Sequence, residues 1–236
     1  MIKKIKNSQL SLFEDVLGDN NNSAIKQSNY KGRKTDKTLL FMTSEVTMTE
    51  NYQMPIVAPY KGVLPENIMG INRAKYFSDP MISPHFFLED NLINQYYYNP
   101  YRTEKILYNF HTSIATDFSM TNEMAFPQKI FSSFLNKLWA AWLQSRGHNV
   151  IANVSFPDEY WEDYWIEGWP KDSIIAVSSN GVIRHGNPCG WLKGFERIVT
   201  ELEPIQILRY GPYIKGEPRE RCIYFNNDTN RSVNGW

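Results

Sequence analysis

The sequence predicts a parallel α/β fold, with short strands that are covered on both faces and alternate with helices. Three observations carry that prediction. Asn149–Ser155 (NVIANVS), Ser173–Ser178 (SIIAVS) and Ile205–Tyr210 (IQILRY) are nearly continuous apolar runs, the pattern of strands buried on two sides. Ahead of the first of these runs, Pro127–Arg146 carries apolar residues at 130, 131, 134, 135, 138, 139, 142 and 143, the spacing of one helix face. The two kinds of segment alternate along the chain, which favours parallel pairing through helical crossovers. A partial or distorted β/α barrel-like form and an open doubly wound sheet both satisfy this pattern. Polar residues recurring at successive strand ends lean the reading toward the barrel.

The elements follow in order. Thr38–Met42 (TLLFM) reads as a first strand or a packing segment, and residues 45–80, with Pro55, Pro59, Pro65 and Pro80, read as irregular. His85–Glu89 (HFFLE) is a short apolar strand. Residues 91–109 are helical in two pieces broken by Pro100. Ser113–Asp117 (SIATD) is a strand ending in an acid. The helix over 127–146 stops at Gly147. Trp191, Leu192, Phe195, Ile198, Val199 and Leu202 form a second amphipathic helix with Pro188 near its first turn, and Ile205–Tyr210 is the last strand expected. Residues 38–236 are one domain on this reading.

Composition narrows the function. The chain has 236 residues, 42% apolar content and zero formal net charge. Residues 1–37 hold eight Lys/Arg against four acids, so the remainder is net acidic. An acidic body is a poor match for gripping duplex DNA, which needs a basic face. Two cysteines, Cys189 and Cys222, make neither a disulfide framework nor a zinc site, and they fit reduced thiols in a cytoplasmic protein. No apolar run approaches the ~20 residues of a membrane span. The opening Met-Ile-Lys-Lys-Ile-Lys has no apolar stretch behind it, so no secretory signal is expected.

Residues 18–37 (GDNNNSAIKQSNYKGRKTDK) are polar and Asn-rich without a periodic apolar face, so residues 1–37 read as a flexible arm. Within the arm, Gln9-Leu10-Ser11-Leu12-Phe13 resembles the short motif with which bacterial replication and repair proteins dock on the DNA sliding clamp. The resemblance implies that Leu12 and Phe13 enter an apolar pocket and that Gln9 bonds at its rim. Leu10 would be a secondary contact and Ser11 a spacer. The alternative is an apolar helix turn formed by Leu10, Leu12, Phe13, Val16 and Leu17. A clamp tether would raise the effective concentration at DNA without a DNA-binding surface.

Five pieces of the chain stand out together: Ala115-Thr116-Asp117-Phe118-Ser119, the helix end Trp142–Gly147, Val150–Ser155 leading to Asp158-Glu159, Ile175–Ser178, and Ile207–Gly211. They resemble a family common in phages and integrated elements, the domain-of-unknown-function family 4417. Phe156 stands where the family favours Trp, and Ala152 where it favours Pro. The resemblance implies an origin in a phage or mobile element and brings no established activity.

In parallel α/β folds the functional face lies at the carboxyl ends of the strands. Those ends carry Asp117 and Ser119, Ser155 with Asp158 and Glu159, Ser178, Ser179 and Asn180, and Tyr210, with Glu89 and Asp90 from the His85 strand. Asp117 and Glu89 are the candidate acid/base pair, joined by Asp158 and Glu159 as catalytic candidates. Ser119, Ser178, Asn180 and Tyr210 are cleft candidates. Such oxygens suit a sugar, a nucleotide or a divalent metal, though no metal is specifically indicated. Asp117 or Ser119 as a simple cap, and Asp158 and Glu159 as solvated loop acids, are the structural alternative.

The stretch 156–169 (FPDEYWEDYWIEGW) interleaves aromatics with acids. It reads as a short helix covering the sheet or as an acidic partner-binding face. Arg184–Gly190 lacks P-loop and dinucleotide spacing and reads as a turn. Three functions remain open. The first is an accessory protein recruited to replication through the host sliding clamp, assisting element replication or occluding the clamp. The second is a barrel-like enzyme acting on a nucleotide, sugar or nucleic-acid end. The third is a module that binds a host defence or regulatory protein.

Overall fold

Among the described residues, seven strands run parallel and neighbour one another in chain order. The computed structural model describes residues 39–157 and 162–226. β1 (Asn67–Gly70) pairs with β2 (Ile82–His85). β3 (Ser113–Ile114), β4 (Val150–Asn153), β5 (Ile174–Ser178), β6 (Gln206–Tyr210) and β7 (Cys222–Phe225) pair successively. A parallel bridge between Phe86 and Thr116 brings β2 beside β3. The order therefore runs from β1 to β7 without the reversal that defines a doubly wound sheet.

The sheet also curls. The Tyr210 ring at the end of β6 lies 4.5 Å from Phe87 and 4.7 Å from His85, centroid to centroid. Strands four places apart in a flat sheet would stand roughly 19 Å from each other at ~4.8 Å per strand. Contact between β2 and β6 is possible only if the sheet wraps around. The fold is thus the barrel-like form. It is incomplete, since among the described residues β7 and β1 are not hydrogen-bonded to each other.

Strand alternation explains the two cores. Ile68, Ile114, Ile151, Ile174, Ala176, Leu208 and Tyr210 form an inner cluster with Phe87, flanked by Ile223 and Phe225. Val150, Ala152, Val154, Ile175, Val177 and Ile207 face outward into the helices. Tyr60 joins the inner cluster at the amino-terminal end of the strands. Its N–H donates to Ser173 Oγ, its carbonyl accepts from Ile174 N, and its hydroxyl donates to Val63 O.

The outer layer is built by α1 (Leu40–Thr43), α2 (Ile71–Ala74), α3 (Asp90–Tyr97), α4 (Pro100–Leu107), α5 (Phe126–Ser145), α6 (Val182–His185) and α7 (Pro188–Leu202). α5 buries Leu138, Trp139, Trp142 and Leu143. α7 buries Trp191, Phe195, Ile198 and Leu202 and is capped by Asn187, whose side chain accepts from Gly190 N. At the far end of α5, Arg146 grips the buried Glu104 with two hydrogen bonds, Nε to Oε1 at 2.6 Å and Nη2 to Oε2 at 3.0 Å. His148 lies against the same carboxylate.

Expectations change at several places. Residues 67–74, expected to be irregular, form β1 and α2, because Ile68, Met69, Ile71 and Ala74 are buried. The turn expected at Arg184–Gly190 narrows to the two residues between α6 and α7. Of the two readings of Thr38–Met42 the strand is overturned and the packing segment holds, since Leu40–Thr43 is a helical turn that buries Met42 in the core. The strand expected at His85–Glu89 ends at His85, because Leu88 N bonds back to Phe86 O and turns the chain toward α3. Ile205–Tyr210 is not the last strand, since β7 follows it. The described part of the aromatic-acidic stretch is a 3-10 turn, Asp163–Trp165, locked into the core. The fully buried Lys137 of α5 donates to Tyr164 O at 3.2 Å and Trp165 O at 3.0 Å. Its Nζ lies 4.9 Å over the Trp169 ring. Burial pushes its amine well below the ordinary lysine range, against the pull of Glu167. Gly168 completes the lock at φ +89°, where a Cβ would come within 2.6 Å of Pro55 O. Trp165 is therefore a structural residue rather than a partner-binding surface.

Candidate functional site

A cavity of about 290 Å³ opens at the carboxyl ends of β3, β4 and β5, bounded on one side by α6 and the start of α7. The sequence pattern places function at this end of the strands. Asp117, Ser119, Ser178 and Asn180 all line the cavity, as does Ser155.

Asp117 is the half-buried carboxylate of the site. Asn153, wholly buried on β4, donates its Nδ2 to Asp117 Oδ1 at 2.9 Å and to Thr116 O at 3.0 Å. Those two acceptors fix which way the amide faces, and they leave Asn153 Oδ1 buried with no hydrogen-bond partner. Burial, joined by the charge of Asp90, raises the Asp117 carboxyl to about 6 against the opposing hydrogen bonds from Asn153 and Ser155. A carboxyl poised near neutrality can both accept and release a proton under physiological conditions.

The backbone after Asp117 is held from two helices. Asn136 of α5 accepts from Phe118 N at 2.8 Å and donates to Phe118 O at 3.2 Å and to Ser155 Oγ at 2.9 Å. Asp90 of α3 accepts from Ser119 N at 3.1 Å and from Ser119 Oγ at 3.0 Å. The loop that presents Asp117 is therefore set before any ligand arrives.

An aromatic wall closes the other side. Phe156 and Trp191 line the cavity, with their rings 5.9 Å apart. Trp191 Nε1 donates to Ser178 O at 3.1 Å, Phe195 stacks on its ring at 5.0 Å, and Arg209 Cζ lies 4.6 Å over it. Arg209 is itself fully buried. It pairs with Glu217 at 2.9 Å and donates to Tyr210 O and Pro212 O. Gly211, at φ +96°, lets the chain pass Asn180, whose Oδ1 would lie 2.8 Å from an added Cβ.

The structure does not gather every expected residue. Glu89 is exposed at the start of α3 and does not line the cavity. Because β2 stops at His85 and the chain turns, it is Asp90 whose charge acts on Asp117. Tyr210 is 1% exposed and belongs to the inner core beneath the site. Asp158 and Glu159 lie outside the described residues, as do Gln9, Leu10, Leu12 and Phe13. Among the described residues, no group of three or more His, Cys, Asp or Glu side chains is placed to hold a metal, and no helix is long and apolar enough to cross a membrane. Sequence reasoning missed Asn136 and Asn153. Asn153 is an amide within an apolar strand, and that was the available signal; Asn136 shares its helix with the buried polar residues Ser132, Ser133 and Lys137 and did not stand out.

A family sequence profile matches residues 46–225, which include all seven strands and every cavity residue. The chain belongs to that family, described as domain of unknown function (DUF4417). The family match excludes residues 9–13. The chain is also similar to the "Gene 1 protein" of Mycobacterium phage D29, 23% identical over 166 residues that cover 68% of this chain and 60% of that protein. To the "Gene 1 protein" of Mycobacterium phage L5 it is 25% identical over 130 residues, 54% of this chain and 56% of that one. The alignments thus span less than two thirds of the length of these curated phage relatives. No solved structure matches.

Proposed function

We propose that the folded domain binds a small polar molecule in the cavity at the strand ends and that Asp117 serves there as a general acid or base. The observation that carries this reading is the placement of Asp117. A carboxylate desolvated beside a second carboxylate, in a cleft, is held at a cost to stability, and its loop is braced from both α3 and α5. The substrate classes that suit the site are a sugar, a nucleotide or a nucleic-acid end. Asp117→Asn keeps the acceptor for Asn153 and removes the proton-transfer group, so activity on such a substrate should fall at least ~100-fold with the fold intact. Full activity in Asp117→Asn would end the acid/base assignment.

A second reading concerns location and rests on the pentapeptide Gln9–Phe13 and the acidic body that follows it. In that reading the protein is a phage or mobile-element accessory that reaches replicating DNA by docking on the host sliding clamp in the host cytoplasm, where it assists element replication or occludes the clamp. Titrating purified clamp with the wild-type chain and with a Leu12→Ala/Phe13→Ala double variant tests it. Micromolar or tighter binding lost in the variant supports docking; no wild-type binding removes it. The two readings are independent, since a tether would only localise the chemistry.

A further inference from the structure

We infer that the cavity takes an uncharged, hydroxyl-bearing ring, a sugar or the ribose-and-base unit of a nucleoside, in preference to a phosphate ester. The inference rests on the reading of this cavity as a ligand site and narrows its substrate class.

Three observations on the lining support it. The polar lining is hydroxyl and amide: Ser119, Thr121, Ser155 and Ser178 with Asn122 and Asn180. These groups both donate and accept, as ring hydroxyls require. Phe156 supplies an apolar surface for the C–H face of a ring. The charged group in the lining is a carboxylate, Asp117, and among the described residues no lysine or arginine lines the cavity.

The arginine behind the wall does not alter this. Arg209 is fully buried behind Trp191, and its Nε, Nη1 and Nη2 are committed to Glu217, Tyr210 O and Pro212 O. It cannot turn toward a ligand without stranding Glu217, whose side chain is equally buried. A phosphate in this space would meet Asp117, with Asp90 behind it, and find no described cation to offset either charge. The volume of about 290 Å³ lies at the small end for ligand pockets and suits one or two rings.

The test is saturation-transfer NMR with calorimetry on the full chain. The probes are glucose, N-acetylglucosamine, ribose, uridine, thymidine, cytidine and adenosine, together with the four matching 5′-monophosphates and inorganic phosphate. Thr121→Trp, at an exposed lining position, serves as the occluding control, and Asp117→Asn as the charge control. The expected result is binding of a free sugar or a nucleoside, lost in Thr121→Trp, with the matching monophosphate at least tenfold weaker. Asp117→Asn should narrow that gap, an effect a merely structural aspartate would not produce. The sugar and nucleoside arms identify which source supplies the ring.

Binding of a monophosphate or inorganic phosphate as tight as the uncharged probe, and lost in Thr121→Trp, overturns this inference and leaves the cavity a ligand site. Binding that survives Thr121→Trp places the ligand elsewhere and overturns both readings, as does the failure of every probe to bind.

Discussion

The two ends of the barrel treat a desolvated carboxylate in opposite ways. At the amino-terminal end Glu104 is gripped by Arg146 and touched by His148. Burial alone pushes its pKa up, but the hydrogen bonds and charge of Arg146, helped by His148, bring it below the ordinary range. At the carboxyl end Asp117 has an amide, a hydroxyl and a second carboxylate for neighbours, and its pKa rises. In the core, Glu217 is likewise paired with an arginine, Arg209, at 2.9 Å. The difference separates an end where a carboxylate is matched by a cation from one where, on the proposed function, stability is surrendered for a reactive group.

Removing the cation at the amino-terminal end should break the comparison most severely. Arg146→Ala leaves Glu104 buried and unmatched and should cost about 3–5 kcal/mol in urea unfolding. It should also remove the stability that Glu104 supplies on ionising, because burial, no longer opposed by Arg146, raises its pKa. With its folded pKa lowered, Glu104 stabilises the wild type above the ordinary carboxylate range, and that contribution is lost as the pH falls.

The carboxyl end should respond with the opposite sign. Between its ordinary value of 3.8 and about 6, Asp117 binds its proton more tightly in the folded chain than in the unfolded one. Stability therefore falls as pH rises through that window and is flat above it. Asp117→Asn removes this loss, so the variant should be more stable than wild type by about 1–2 kcal/mol at pH 7 and equal to it near pH 3, after discounting for the half-exposed side chain. Chemical denaturation at the two pH values decides it. A variant less stable at pH 7 would make Asp117 a structural residue.

Smaller effects sharpen the assignment of neighbours. Asp90→Asn keeps the acceptor for Ser119 while removing a charge, and it should move the Asp117 titration, followed by carbon NMR of labelled aspartate, back toward the ordinary value. Asn153→Ala should move it the other way, since a hydrogen bond to the ionised form is lost. Glu89→Gln should leave the titration in place and change stability by less than ~0.5 kcal/mol.

How far the sequence revealed this site can be argued residue by residue. α5 was legible because its apolar positions repeat at helical spacing over five turns, and β4, β5 and β6 because both of their faces are buried. β1 offered Ile68 and Met69 between proline-rich flanks, too short a run to read. β7 (CIYF) is half-exposed and follows a polar, Pro-containing loop, so no alternation marked it. Asp117 was found because an acid directly follows an apolar strand. The choice between Glu89 and Asp90 was not legible. It depends on where β2 stops, and the apolar run through Phe87 and Leu88 continues past that point. Asn153 was legible as a polar residue in an apolar strand, Asn136 was not, and only folding shows that both reach the Asp117 loop.

The ring of Phe87 stacked on Tyr210 also sets a timetable for synthesis. A ribosome delivers β2 long before β6, so the inner wall of the first strands waits for its opposite side. Until Tyr210 arrives, Ile68, Phe87, Ile114, Ile151 and Ile174 face water, and long-range pairing of this kind is slow and exposed to aggregation. A chain cut after β5 would not be a smaller barrel; it would be a sheet with no interior, and a client for chaperones.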